Sequence, residues 1–155
     1  MSSLSPRRNR TFWESLSKAW AGLLWAVRAE RNVPLLLVGA ILALALALVL
    51  GLSGPELALL ILVIAVVLAA ELFNTALERL LDLLHSEYHP QVRQIKDLAA
   101  GAVLLTALGS LAVGLLLFAS RLIGKSGEIW LGRLLATVLL LLLAALLGLG
   151  RRRKG

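Results

Sequence analysis

A chain of 155 residues that is 59% hydrophobic, with a mean hydropathy of +0.89, is far more apolar than soluble domains at roughly 45–50% and reads as a membrane protein. It contains no cysteine, which excludes disulfides, thiolate metal sites and cysteine nucleophiles. The net charge of +7 does not imply nucleic acid here; the placement of the basic residues carries the information instead, because Lys and Arg in short loops mark the cytoplasmic side.

Residues 1–11, MSSLSPRRNRT, are polar and basic with nothing to bury, and are expected to be a disordered tail. The first long apolar run begins only near Val33 and no convincing cleavage site follows it, so the N-terminus reads as retained. From Phe12 onward, Phe12, Leu16, Ala19, Leu23 and Val27 recur at helical spacing, Trp13 and Trp20 flank them, and Glu14, Lys18 and Arg28 fall elsewhere on the wheel. The pattern predicts an amphipathic helix in the membrane interface, where a tryptophan ring buries its body and keeps its N–H wet. Packing of this helix on its own protein is compatible with the same pattern.

Four apolar runs follow, at about 33–50, 57–84, 98–123 and 130–149, each near the ~20 residues that cross a hydrocarbon core. Between the first two lies GLSGPE, where Gly51, Gly54 and Pro55 end one helix and Pro55 can begin the next. The second connection, about 85–97, holds Arg93 and Lys96 just after Arg79, and both chain ends are densely basic. These charges predict cytoplasmic termini and a cytoplasmic central loop, although Arg121, Lys125 and Arg133 near the other side dilute the asymmetry.

Within the second run, Glu71, Asn74, Glu78 and Asp82 break the apolar pattern. At 100° per residue they lie at about 0°, 300°, 340° and 20°, one narrow stripe rising on the order of 16 Å along the helix. Carboxylates at such depth cost several kcal/mol unless they face protein or water, so they mark an ion, proton or substrate site more often than a structural one. Asn74 alone reads more often as interhelical glue, and Asp82 equally well as a snorkelling residue near the surface. The connecting sequence SEYHPQVRQIKD adds Glu87, Tyr88, His89, Lys96 and Asp97, expected as loop residues above the stripe. Glu30 can approach from the end of the interfacial helix; were that helix to stay regular, Glu30 would share the face of Phe12 and point toward protein.

Carboxylates, a lysine and a membrane surface suit phosphoryl transfer from a nucleotide to a lipid hydroxyl, with Mg²⁺ held by one or two carboxylates and the phosphates. The chain carries no P-loop, no protein-kinase signature and no H-E-x-x-H, so a kinase here must belong to an unusual membrane class. An acidic stripe could alternatively line a cation- or proton-conducting oligomer or sit in a non-enzymatic scaffold, neither of which would require E-Y-H and K-D beside it.

The segment E-L-F-N-T-A-L-E-R-L-L-D at 71–82, S-E-Y-H at 86–89, K-D at 96–97, W-A-G-L at 20–23 and E-R-N at 30–32 together resemble the small prokaryotic integral-membrane diacylglycerol kinase family, which includes undecaprenol kinases. The resemblance covers about residues 12–122. It implies an all-α homotrimer in which each subunit has an interfacial helix and three membrane spans, with ATP and a membrane lipid as substrates, Mg²⁺ as the metal, and active sites at the cytoplasmic face of the bacterial inner membrane. It further implies that Glu71 is the base, Asn74 orients substrate, and Glu30 and Glu78 hold the metal bound to ATP. Glu87, Tyr88, His89, Lys96 and Asp97 would join Glu30 and Glu78 around the nucleotide, and Ala100 would join Glu71 and Asn74 around the lipid. Asp82 matches a recurrent acidic position without an assigned step.

The chain departs from that family where Pro34 and Leu36 follow E-R-N, positions at which many members carry basic and polar residues. Residues 12–123 are thus expected to form the lipid-kinase domain, and 124–155 an added fourth span with a basic tail that returns to the cytoplasm. The stretches E-R-N and H-P-Q-V-R-Q-I-K-D-L-A-A-G-A-V-L-L resemble the undecaprenol kinase branch more than the diacylglycerol kinases of Gram-negative bacteria.

Overall fold

A computed structural model describes residues 11–84, 89–123, 127 and 129–141. Their secondary structure is entirely helical: α1 (Phe12–Ala29), α2 (Asn32–Val49), α3 (Gly54–Leu84), α4 (Pro90–Leu122) and a shorter α5 (Ile129–Leu141). Helices α2, α3 and α4 are each long and apolar enough to cross a membrane, which matches the expected interfacial helix followed by three spans.

Helix α1 starts where Thr11 adopts an extended conformation and its hydroxyl accepts from the Glu14 N–H at 3.2 Å. Glu14 in the first turn and Arg28 in the last complement the helix dipole. Only Ala26 is buried within the chain, while Phe12, Trp13 and Trp20 stand exposed, as a helix seated in a headgroup layer requires. The helix stops at Ala29, and Glu30 caps it in an extended conformation. The regular wheel expected for Glu30 therefore does not apply, yet its side chain still turns inward. In α2, Pro34 falls at the third helical position, where its missing N–H has no intrahelical acceptor to lose.

The α2–α3 turn closes by a Schellman arrangement in which Leu52 N–H donates to Ala47 O at 3.0 Å and Gly51 N–H to Leu48 O at 3.2 Å. Gly51 sits at φ +65°, the left-handed region that a side chain disfavours. Beyond it, the Glu56 carboxylate accepts from both the N–H and the hydroxyl of Ser53 at 2.6 Å, anchoring the start of α3. Arg121 near the end of α4 donates to the same Glu56 oxygen.

Helix α3 is the central element, packed between α2 and α4. Its buried positions are Leu60, Val67, Glu71, Thr75 and Leu81, so the inward seam that begins apolar becomes polar midway. Ser110 of α4 donates to Val63 O at 3.2 Å and ties the two long helices together at mid-depth.

The sequence placed a loop over about 85–97, but α4 begins at Pro90, so Arg93, Lys96 and Asp97 are helical. His89 explains the early start: it is extended, its Nδ1 accepts from the Gln91 N–H at 3.3 Å, and Pro90 follows in the first turn. At 31 and 33 residues, α3 and α4 are about 46 and 50 Å long, beyond the ~30 Å hydrocarbon core, so their polar turns can project out of it. Apolar periodicity could not reveal these turns because they need no apolar face. Of the expected fourth span, α5 covers 129–141, and 142–149 lie outside the described residues.

Candidate active site

The four stripe residues lie on α3 as the wheel predicts, graded from buried to exposed. Glu71 is 4% exposed, Asn74 and Glu78 are half-buried, and Asp82 is exposed. Glu71 shares its seam with Thr75, and among the described residues nothing donates a hydrogen bond to its carboxylate. A carboxylate withdrawn from water and left with its acceptor sites open is suited to receive a proton from a hydroxyl brought beside it.

One turn along, Asn74 Nδ2 donates to Glu78 Oε1 at 2.9 Å. This bond orients both groups and leaves Asn74 Oδ1 buried without a partner among the described residues. A buried acceptor of this kind is open to a donor or a cation. Two neighbouring helices complete the cluster. From the end of α1, Glu30 meets Arg79 of α3, which donates through Nη2 at 2.7 Å and Nε at 3.2 Å. From α4, Lys96 donates to Asp82. Asp97 faces outward, 71% exposed, and loosely pairs with Arg93 at 3.9 Å.

An open apolar groove of about 290 Å³ lies between α1 and α3, lined by Gly22, Leu23 and Ala26 on one side and Leu72, Thr75 and Ala76 on the other. Leu72 and Thr75 place it at the level of Glu71 along α3, although no stripe residue lines it. Ala100 is exposed on α4, and no described contact places it in this groove. His89 caps α4, so its observed role is to start the helix. Glu87 and Tyr88 lie outside the described residues.

The oxygen donors fit a hard divalent cation. Glu78 and Asn74 are coupled to each other, and Arg79, next to Glu78 in the chain, holds Glu30 to α3. No cluster of three His, Cys, Asp or Glu side chains occurs among the described residues.

Two residues acquire roles that the sequence did not give them. Asp82, chemically unassigned from sequence, holds Lys96 at the edge of the stripe. Arg79, counted there only as a loop-proximal charge, links α3 to α1. A signal for Arg79 existed in its position directly after Glu78, but its partner is 49 residues away and is reached only because α1 stops at Ala29.

An interfacial helix, three apolar helices long enough to cross a membrane and an acidic column on α3 define a membrane protein with a polar site toward one end of the bundle. A profile described as prokaryotic diacylglycerol kinase matches residues 17–118. The chain belongs to that family and is a lipid kinase, which implies a nucleotide phosphoryl donor. It is 35% identical over 111 residues to a protein named undecaprenol kinase from Bacillus subtilis, covering 72% of this chain and 90% of that one. It is also 38% identical over 101 residues to a protein named diacylglycerol kinase from Synechocystis sp., covering 64% of this chain and 58% of that one.

Proposed function

We propose that the chain is an ATP- and Mg²⁺-dependent kinase that phosphorylates the terminal hydroxyl of undecaprenol at the cytoplasmic surface of the bacterial inner membrane. The observation that carries this reading is the column of Glu71, Asn74 and Glu78 on α3, buried at its lower end, with Glu30 brought to α3 from α1.

The lipid enters along the α1–α3 groove and presents its hydroxyl to Glu71. Its oxygen forms a bond to the γ-phosphorus as the bond from that phosphorus to the β–γ bridging oxygen breaks, and the hydroxyl proton passes to the Glu71 carboxylate. Asn74, fixed by Glu78, orients the reacting groups. Glu30 and Glu78 would hold magnesium, which when bound neutralises phosphate charge. Lys96, anchored by Asp82, adds positive charge on the nucleotide side. The family resemblance alone assigns His89, Asp97, Glu87 and Tyr88 to the nucleotide and Ala100 to the lipid.

A polar end that carries Arg93, Lys96 and Arg79 supports a cytoplasmic site, as does the source of ATP. The long exposed apolar faces of α2, α3 and α4 are compatible with both lipid contact and assembly, and we take the active form to be a homotrimer. Residues 12–123 form the kinase domain in this reading, and 124–155 add a fourth span whose basic tail serves as an orientation signal.

Undecaprenol is favoured because the relative matched over most of its own length bears that name. Phosphate transfer to undecaprenol and to diacylglycerol, measured side by side at matched surface concentrations, tests the choice. A higher kcat/KM for undecaprenol supports it, and a preference for diacylglycerol overturns it.

A further inference from the structure

Arg79 makes three contacts that all run from α3 to α1. Its Nη2 and Nε both donate to the same oxygen of Glu30, Oε1, at 2.7 and 3.2 Å. Its guanidinium carbon lies 5.3 Å from the ring centroid of Trp25, one turn before Glu30. A planar guanidinium can stack on an indole and fork onto a carboxylate at once, which an ammonium cannot do. With both donors on Oε1, Arg79 does not engage Oε2, and Glu30 keeps an oxygen for another ligand.

The location gives this clamp its consequence. Glu30 is the extended cap of α1, beyond the last helical residue, so the regular backbone of α1 does not fix its direction. Within the chain, α1 buries only Ala26, and little apolar packing holds its end in place. Arg79 directly follows Glu78, so holding Glu30 to Arg79 keeps the end of α1 against the turn of α3 that carries Glu78, although successive side chains on a helix point about 100° apart. The side chains of Arg79 and Glu30 are 54% and 23% exposed, and an ion pair this open adds little to global stability. Its effect is therefore on geometry.

We infer that Arg79 is a positioning residue: by stacking on Trp25 and holding Glu30 Oε1, it docks the end of α1 on α3 and fixes Glu30 at the turn of α3 that carries Glu78, where Glu30 contributes to receiving a metal–nucleotide complex. The docking is a property of the chain itself, and its consequence for the nucleotide rests on the function proposed above.

Two measurements on the full-length protein in lipid nanodiscs test it. The first is hydrogen–deuterium exchange of α1 in the absence of metal and nucleotide. Arg79→Ala should raise exchange over Trp25–Glu30 severalfold, Arg79→Lys should restore protection only in part, and Arg133→Ala, which removes a charge on α5, should leave it unchanged. The second is binding of Mn²⁺ with a non-hydrolysable ATP analogue, followed by the Mn²⁺ electron paramagnetic resonance signal. Arg79→Ala should weaken binding severalfold, because Glu30 loses the group that fixes its direction. In assays, Arg79→Ala should raise KM for both substrates, because Trp25 also lines the α1–α3 groove, with the larger rise for the nucleotide. Unchanged exchange in Arg79→Ala overturns the docking. Raised exchange with unchanged Mn²⁺–analogue affinity overturns the positioning of Glu30. A wild-type protein that binds no Mn²⁺–analogue contradicts the proposed function and the positioning with it, while the exchange measurement still decides the docking.

Discussion

Lys96 and Asp82 meet at the rim of the acidic column, and their pairing settles what each can do alone. A lysine on a flexible stem is a poor phosphate ligand unless something fixes its ammonium, and a carboxylate one turn beyond Glu78 does so. Asp82→Asn should therefore raise the nucleotide KM severalfold, Lys96→Ala should raise it further, and the double variant should be no worse than Lys96→Ala, because the two residues act as one unit. Strictly additive effects in steady-state kinetics would dissociate them. At Asn74, substitution by Ala removes the donor to Glu78 and should lower kcat more than it raises the KM of either substrate. The stripe itself was legible from sequence, since Glu71, Asn74, Glu78 and Asp82 need only one regular helix to align them. The Arg79–Glu30 pair was not, because it depends on where a different helix ends.

Among the elements, α3 does most to organise the fold, and its two ends are secured differently. At the hairpin end, Gly51 supplies the left-handed turn, Ser53 anchors Glu56, and Arg121 crosses from α4 to the same carboxylate. Gly51→Ala places a side chain at φ +65° and should destabilise the protein by about 1 kcal/mol in chemical unfolding, with the nucleotide KM unchanged. Glu56→Gln should likewise lower the thermal midpoint without altering kinetics, since it loosens the end remote from the site. Altered substrate affinity in either variant would mean that the two ends are coupled. The hairpin was readable because Gly51, Gly54 and Pro55 each carry a strong backbone preference. The start of α4 was less so: a proline after a histidine resembles a turn, and only the His89 cap makes it a helix beginning.

At the scale of the whole molecule, the polar groups gather at two levels. Glu56 and Glu78 are 22 residues apart on one helix, which spans about 33 Å and matches the thickness of a hydrocarbon core. Between these levels the outward surfaces are apolar, and Glu71 lies inside the span, about 10 Å below Glu78, where it can meet a hydroxyl arriving from the lipid. Composition alone made the membrane assignment legible, because no soluble fold exposes so much leucine. The α1–α3 groove was not legible, since it exists only where an interfacial helix crosses a span. The most direct test of this account is transfer of radiolabelled γ-phosphate from ATP to undecaprenol in vesicles, for the wild type and Glu71→Gln. The wild type should form labelled undecaprenyl phosphate when Mg²⁺ is supplied, and the folded variant should be slower by on the order of 10²–10⁴-fold. An unchanged rate in Glu71→Gln would contradict the account.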